Sequence, residues 1–279
     1  MVQEEKKLQI DIAGIIGSKN PRLIKVIPRF LITLLKKLIH QDEINVVLEK
    51  YGNLRGKEFA KATLQHLNIK FKVHGVEKID TTRRYIFVSN HPLGGLDGMI
   101  LIDIFGEVFK NVRFVVNDLL MSIEPLRPVF IPVNKYGRQN VDNAKLIHDS
   151  YSSSEQILYF PAGLCSRLVK GAIVDLDWKK SFVNQAVKYG RDIVPIFFEG
   201  KNSGFFYRFA NIRKSLGIKF NYETILLPHE MFRQKGATFN IYIGEPVPLE
   251  QLAVGGNPAY WTQKIREEVY NLKEQKWNR

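Results

Sequence analysis

Residues 85–98 read YIFVSNHPLGGLDG. Tyr85, Ile86, Phe87 and Val88 are aromatic or β-branched and uncharged, the composition of a strand covered on both faces. Asn90 and His91 close that strand, Gly94 and Gly95 make a turn, and Asp97 stands where a helical pattern over Gly98–Phe109 begins. A strand, a turn and a helix in that order form the repeating unit of an α/β domain, and open α/β sheets place ligands at the carboxyl ends of their strands.

Working outward, six more short apolar runs have the same texture: FKVHGV (71–76), VRFVVN (112–117), VFIPV (129–133), QILYF (156–160), DIVPIFF (192–198) and FNIYIG (239–244). Helical patterns at Val141–Tyr151, Lys179–Tyr189 and Phe205–Leu216 fall between several of them. The alternation predicts an α/β fold with a mostly parallel central sheet flanked by helices over residues 71–248. Residues 1–70 read as an N-terminal helical extension, with helices at Ile44–Tyr51 and Lys57–Leu67 and turns opened by Pro21 and Pro28. Residues 249–279 close the chain with a helix around Trp261–Lys273, packed on the same domain.

The chain has 279 residues, 45% hydrophobic and 25% charged, enough apolar material for a sizeable core. Its single cysteine, Cys165, excludes an intramolecular disulfide framework, and no Cys/His spacing points to a metal site. No window approaches the run of about 18 apolar residues that a spanning helix needs. The N-terminus lacks the apolar core and cleavage site of a secretory signal, so the expectation is a reducing compartment.

The net charge of +13 is concentrated in two places. Residues 1–70 hold 13 Lys/Arg against 7 Asp/Glu, and residues 151–248 hold 13 against 8. Around Pro28, the residues Ile27, Phe30, Leu31, Leu34, Leu35, Leu38 and Ile39 recur at helical spacing beside Arg29, Lys36 and Lys37. Such a segment is either a helix packed on the core or an interfacial helix whose cations meet anionic lipid. The basic, aromatic stretch FFYRFANIRKSLGIKF (205–220) likewise reads as an ordinary amphipathic helix or as a docking face for an acidic protein.

The chemistry concentrates at His91 and Asp97. An imidazole takes a proton from a hydroxyl or amine near neutral pH, and a carboxylate on its other ring nitrogen fixes the tautomer. Taken alone, a turn histidine beside a helix-capping aspartate is the commoner reading. Two further loops leave the same sheet edge. PAGLCSR (161–167) offers backbone N–H groups at Ala162 and Gly163 with Arg167 beyond them, an arrangement that holds anions. EGKNSG (199–204) follows the DIVPIFF strand.

These blocks, in this order, resemble the lysophospholipid and glycerolphosphate acyltransferases typified by the bacterial 1-acylglycerol-3-phosphate acyltransferase. Asn90-His91 through Asp97 is similar to the family's histidine–aspartate block, VFIPVNK (129–135) to its second block, YFPAGLCSR (159–167) to its third, IVPIFFEG (193–200) to its fourth, and IYIGEPV (241–247) to its closing strand. HPLGGLDG with FPAG looks closest to the hemolysin-like branch, which includes acyltransferases that make amino-acid lipids. The resemblance implies His91 as general base and Asp97 as its orienter. Acyl-CoA or acyl carrier protein is then the co-substrate, and no other cofactor is implied. The acceptor is a lysolipid, and the place of work is peripheral, at an anionic membrane surface on the cytoplasmic face of the cell membrane.

Gly94, Gly95, Ala162 and Gly163 then supply candidate backbone donors to the reacting carbonyl, and Asn134, Lys135 and Arg167 candidate contacts to donor or acceptor. The chain departs from the family pattern at three points. Five residues separate His91 from Asp97 where the family has four, Ala162 stands where the third block has glutamate, and no arginine lies near Val133. Rival chemistries are weakly signalled. A thiol nucleophile would rest on Cys165 alone, no G-x-S-x-G elbow is present, and no nucleic-acid motif accompanies the charge. The alternative of a different class is a non-catalytic basic protein that binds a membrane surface or nucleic acid.

Overall fold

The computed structural model describes residues 8–19, 21–133, 141–254 and 256–275. In chain order the elements are α1 (Ile12–Lys19), α2 (Pro21–Val26), α3 (Arg29–Leu38), α4 (Gln41–Tyr51), α5 (Lys57–His66), β1 (Lys70–His74), β2 (Tyr85–Ser89), α6 (Leu96–Val108), β3 (Val112–Asn117), β4 (Phe130–Val133), α7 (Val141–Ser152), β5 (Gln156–Tyr159), β6 (Arg167–Val169), β7 (Ala172–Val174), α8 (Ser181–Tyr189), β8 (Asp192–Glu199), α9 (Gly204–Ser215), α10 (Leu227–Arg233), β9 (Thr238–Ile243), α11 (Leu249–Val254) and α12 (Pro258–Asn271).

All seven expected strands join one sheet in the order β1-β9-β8-β2-β5-β3-β4. Every pairing is parallel except β8 with β9, so the fold is α/β with a mostly parallel sheet, as the alternation of runs predicts. The β6–β7 hairpin is a separate two-stranded antiparallel pair that the sequence reading missed, because its strands are three residues long. Helices α10 and α11 were missed for a similar reason: at seven and six residues they are too short to show a period.

β2 explains why its run carries no polar residue until Ser89. Tyr85 and Phe87 join the core beneath α5 and α6, whereas Ile86 and Val88 join the opposite core beneath α8 and α12. β8 does the same with Val194, Ile196 and Phe198 on one side and Ile193 and Phe197 on the other. A strand buried on both faces has no solvent side to be polar on.

The first 70 residues do not behave as one unit. Val47, Phe59, Ala60, Leu64 and Leu67 are buried in the main core, which makes α4 and α5 part of the scaffold. α3, in contrast, has no buried residue: Phe30 is 68% and Leu34 59% exposed. Of the two readings of its apolar stripe, packing on the core is therefore excluded for those positions.

A third, small cluster lies at the carboxyl edge of the sheet. Cys165, Phe206, Tyr207 and Leu226 form it, with Leu38 and Leu227 packed against it. It joins the end of α3, the start of α9 and the PAGLCSR loop, the surroundings of His91.

Candidate active site

β2 delivers Asn90 and His91 to the sheet edge, and hydrogen bonds hold both backbone and ring in place. The Asn90 side chain closes on β8 in both directions, donating to the Phe198 carbonyl at 2.9 Å and accepting from the Phe198 N–H at 2.7 Å. His91 follows with its ring stacked on Phe160, centroids 3.9 Å apart and planes 18° from parallel. The imidazole Nδ1 lies 2.9 Å from Asp97 Oδ2. Nε2 has no partner among the described residues.

Asp97 is fully buried, which requires every lone pair to find a donor. Besides His91, its Oδ2 accepts from the Leu93 N–H at 2.9 Å and the Gly94 N–H at 3.3 Å, and Oδ1 accepts from the Gly98 N–H at 2.9 Å. The carboxylate thus both orients the ring and closes the turn that leads to α6. The additional glycine in the His91–Asp97 interval is absorbed at Gly94, whose φ of +91° lies in the region that side chains avoid, and where a Cβ would come 2.7 Å from Leu227 Cδ2.

Of the backbone donors expected from the two turns, the structure engages two. The Gly94 N–H points at Asp97, and the Gly163 N–H closes its own turn on the Phe160 carbonyl at 3.0 Å. The N–H groups of Gly95 and Ala162 have no acceptor among the described residues. Gly95 precedes the first residue of α6, is exposed, and has open space where a Cβ would sit.

Arg167 is placed differently from the expectation of an anion-binding cation. Its side chain is turned inward, pairing with Glu223 at 2.6 Å and donating to the Cys165 carbonyl at 2.5 Å. Arg213 pairs with the other oxygen of Glu223 at 2.7 Å, and Glu223 is fully buried. The guanidinium is therefore a staple between the PAGLCSR loop and the segment after α9, sharing the Glu223 carboxylate with Arg213. Asn134 and Lys135 lie outside the described residues.

Cys165 is buried, and burial pushes its thiol up to about 11, so a thiolate is scarce at neutral pH. Both its burial and its raised thiol disfavour the rival reading of a cysteine nucleophile.

One functional position escaped the sequence reading. Asp175, buried just after β7, accepts from the His91 backbone N–H at 3.1 Å and from the Ser166 hydroxyl at 2.6 Å through Oδ1, and from Trp178 Nε1 at 2.9 Å through Oδ2. Ser166 in turn donates its N–H to the His91 carbonyl at 2.7 Å. The backbone of His91 is held on both sides by this pair, while Tyr270 of α12 accepts from the Asp175 N–H at 2.8 Å. Burial raises the Asp175 carboxyl above the usual carboxylate range, partly offset by the Ser166 and Trp178 hydrogen bonds. The only trace of it in the sequence is one of the two aspartates in IVDLDW (173–178), which carries no spacing signal.

A histidine with one nitrogen bonded to a buried carboxylate and the other open can serve as a general base. The chain is 42% identical over 264 residues to a lyso-glycine lipid O-acyltransferase of Bacteroides thetaiotaomicron, covering 94% of this chain and 97% of that protein. It is 44% identical over 264 residues to a lyso-glycine lipid O-acyltransferase of Phocaeicola vulgatus, covering 94% and 95%. Among solved structures, the 1-acyl-sn-glycerophosphate acyltransferase of Thermotoga maritima superposes with a TM-score of 0.46 at 16% identity, covering 88% of this chain and 98% of that one. The family model described as acyltransferase matches residues 14–277, and the chain with the His91–Asp97 pair belongs to that acyltransferase family.

Proposed function

We propose that this acyltransferase esterifies the free hydroxyl of a lyso-glycine lipid with a fatty acyl group taken from an acyl thioester, carried by acyl carrier protein or coenzyme A. The observation that carries the reading is the open Nε2 of His91 with its Nδ1 held 2.9 Å from Asp97. Asp97 accepts from Nδ1–H, which leaves the lone pair on Nε2. The acceptor hydroxyl gives its proton to Nε2 as its oxygen attacks the thioester carbonyl. When the tetrahedral adduct collapses, the C–S bond breaks and the imidazolium returns the proton to the departing thiolate. Direct transfer of this kind involves no acyl-enzyme. The negative charge on the carbonyl oxygen falls to backbone donors, with the Gly95 N–H at the start of α6 the first candidate and the Ala162 N–H the second.

The acceptor class is supported by the names of the two relatives and by what the described site does not offer. A phosphomonoester carries nearly two negative charges and needs charge-assisted partners on leaving water. Among the described residues, Arg167 is committed to Glu223 and Ala162 is neutral. An acceptor without a phosphomonoester fits such a site better than lysophosphatidic acid does.

The protein acts, in this reading, peripherally at the cytoplasmic face of the cell membrane. No helix among the described residues is long and apolar enough to cross a membrane, and the exposed stripe of α3 with Arg29, Lys36 and Lys37 suits an anionic surface. A mass-spectrometric comparison of lipids from cells with and without the protein tests the reading. Loss of the diacylated glycine lipid with build-up of its lyso form is the expected result; unchanged glycine lipids would refute it.

A further inference from the structure

α9 presents a second apolar face that nothing among the described residues covers. Phe206, Tyr207 and Ala210 turn inward, while Phe205, Phe209, Ile212 and Leu216 recur every three or four residues along the opposite side and are exposed. The chain that follows continues the surface: Ile218 is 40% and Phe220 63% exposed, and Tyr222 lies against Phe220 with ring centroids 4.7 Å apart. Contiguous exposed apolar surface of this kind marks an interaction site.

Charge identifies what covers it. Between Glu199 and Glu223 the chain contains no acidic residue, and Lys201, Arg208, Lys214 and Lys219 are exposed around the stripe. A bilayer interface takes both, burying the apolar groups below anionic headgroups that the cations touch.

Position strengthens the argument. The loop leading into α9 is bonded to the catalytic turn, with Asn202 Nδ2 donating to the Pro92 carbonyl at 3.2 Å. On the other flank, Leu38 at the end of α3 packs on the cluster that contains Phe206, and His40 Nε2 lies 2.9 Å from His229 Nδ1 of α10. α3 and α9 thus both border the buried cluster that contains Cys165 of the PAGLCSR loop.

We propose that α9 and the segment to Tyr222 form a membrane-docking surface for an anionic bilayer, which together with α3 seats the His91 loop against the lipid that carries the acceptor. The proposal rests on the acceptor being a membrane lipid, but its test reads vesicle binding and not catalysis, so the two can fail separately. The full chain and the variant Phe209→Ser/Ile212→Ser/Leu216→Ser/Phe220→Ser are floated with phosphatidylcholine vesicles containing phosphatidylglycerol. The variant keeps the α3 stripe and is expected to melt with the parent, and its partition coefficient should fall by at least about tenfold. An unchanged coefficient overturns the proposal.

A second measurement stands independently of the variant's folding. In Phe220→Cys carrying an environment-sensitive dye, with Cys165 buried and unlabelled, the emission should shift to the blue on adding the vesicles. A label that ignores vesicles overturns the proposal. If that label responds to acyl carrier protein instead, the face belongs to an acidic protein.

Discussion

At the scale of single residues, the account turns on the division of labour around His91. His91→Ala removes the proposed base and should lower acyl transfer by about 10²–10⁴-fold while the chain still folds, since Asp97 Oδ2 keeps the Leu93 and Gly94 N–H groups. Asp97→Asn should cost less, at least about tenfold, because the amide retains an acceptor but offers a donor where Oδ2 now receives three hydrogen bonds. Asp175 is a positioning residue, acting through the His91 backbone. Asp175→Asn sets a donor against one of the groups now donating to the carboxylate, at a cost of about 1–3 kcal/mol. Steady-state kinetics should show kcat falling by about tenfold with KM for the thioester changed less than about twofold. A rise in KM at constant kcat would place Asp175 in substrate binding instead. His91 and Asp97 were legible through the order of the blocks around them, since the pair taken alone reads more readily as a turn histidine beside a helix cap. Asp175 was not, because the contact depends on the β6–β7 hairpin returning the chain to the end of β2, and sequence separation hides it.

At the scale of elements, the Arg167–Glu223–Arg213 group locks the PAGLCSR loop to the segment after α9. Glu223→Gln would leave two guanidinium groups facing a neutral amide in a buried setting, and chemical denaturation should show a loss of about 3–5 kcal/mol. A loss under about 1 kcal/mol would return Arg167 to the role of a free cation. The N-terminal helices separate by burial in the same way. Leu64→Ala, inside the main core on α5, should cost about 2–5 kcal/mol, whereas Leu34→Ser on α3 should stay within about 0.5 kcal/mol and show its effect in vesicle flotation. The pattern of residues 27–39 announces an amphipathic helix, but period alone does not say whether protein or lipid covers the apolar side. That the chain's own core leaves it uncovered is a tertiary fact, visible only once the helix is seen with its stripe exposed.

At the scale of the whole molecule, the strand runs disclosed the architecture because a mostly parallel sheet buried on both faces writes uninterrupted apolar segments into the chain. What they leave unwritten is strand order and the antiparallel joining of β9 to β8, which depend on how loops cross the sheet. The same buried design relies on Arg191, fully buried before β8, whose guanidinium donates to the carbonyls of Ser150, Tyr151, Ser153 and Glu155 behind α7 and of Tyr85 in β2. It ties the end of the sheet opposite the site, and its charge gives no hint of this in the sequence. In the proposed function, the sheet holds His91 at its edge as the base, and among the described residues Arg167 is committed to Glu223. The most direct measurement supplies the purified protein with one acyl thioester and equimolar lyso-glycine lipid and lysophosphatidic acid, with His91→Ala in parallel, and quantifies both products by mass spectrometry. The account predicts that the diacylated glycine lipid predominates and that His91→Ala lowers it by about 10²–10⁴-fold. Preferential formation of phosphatidic acid, or equal product from His91→Ala and the parent, would contradict it.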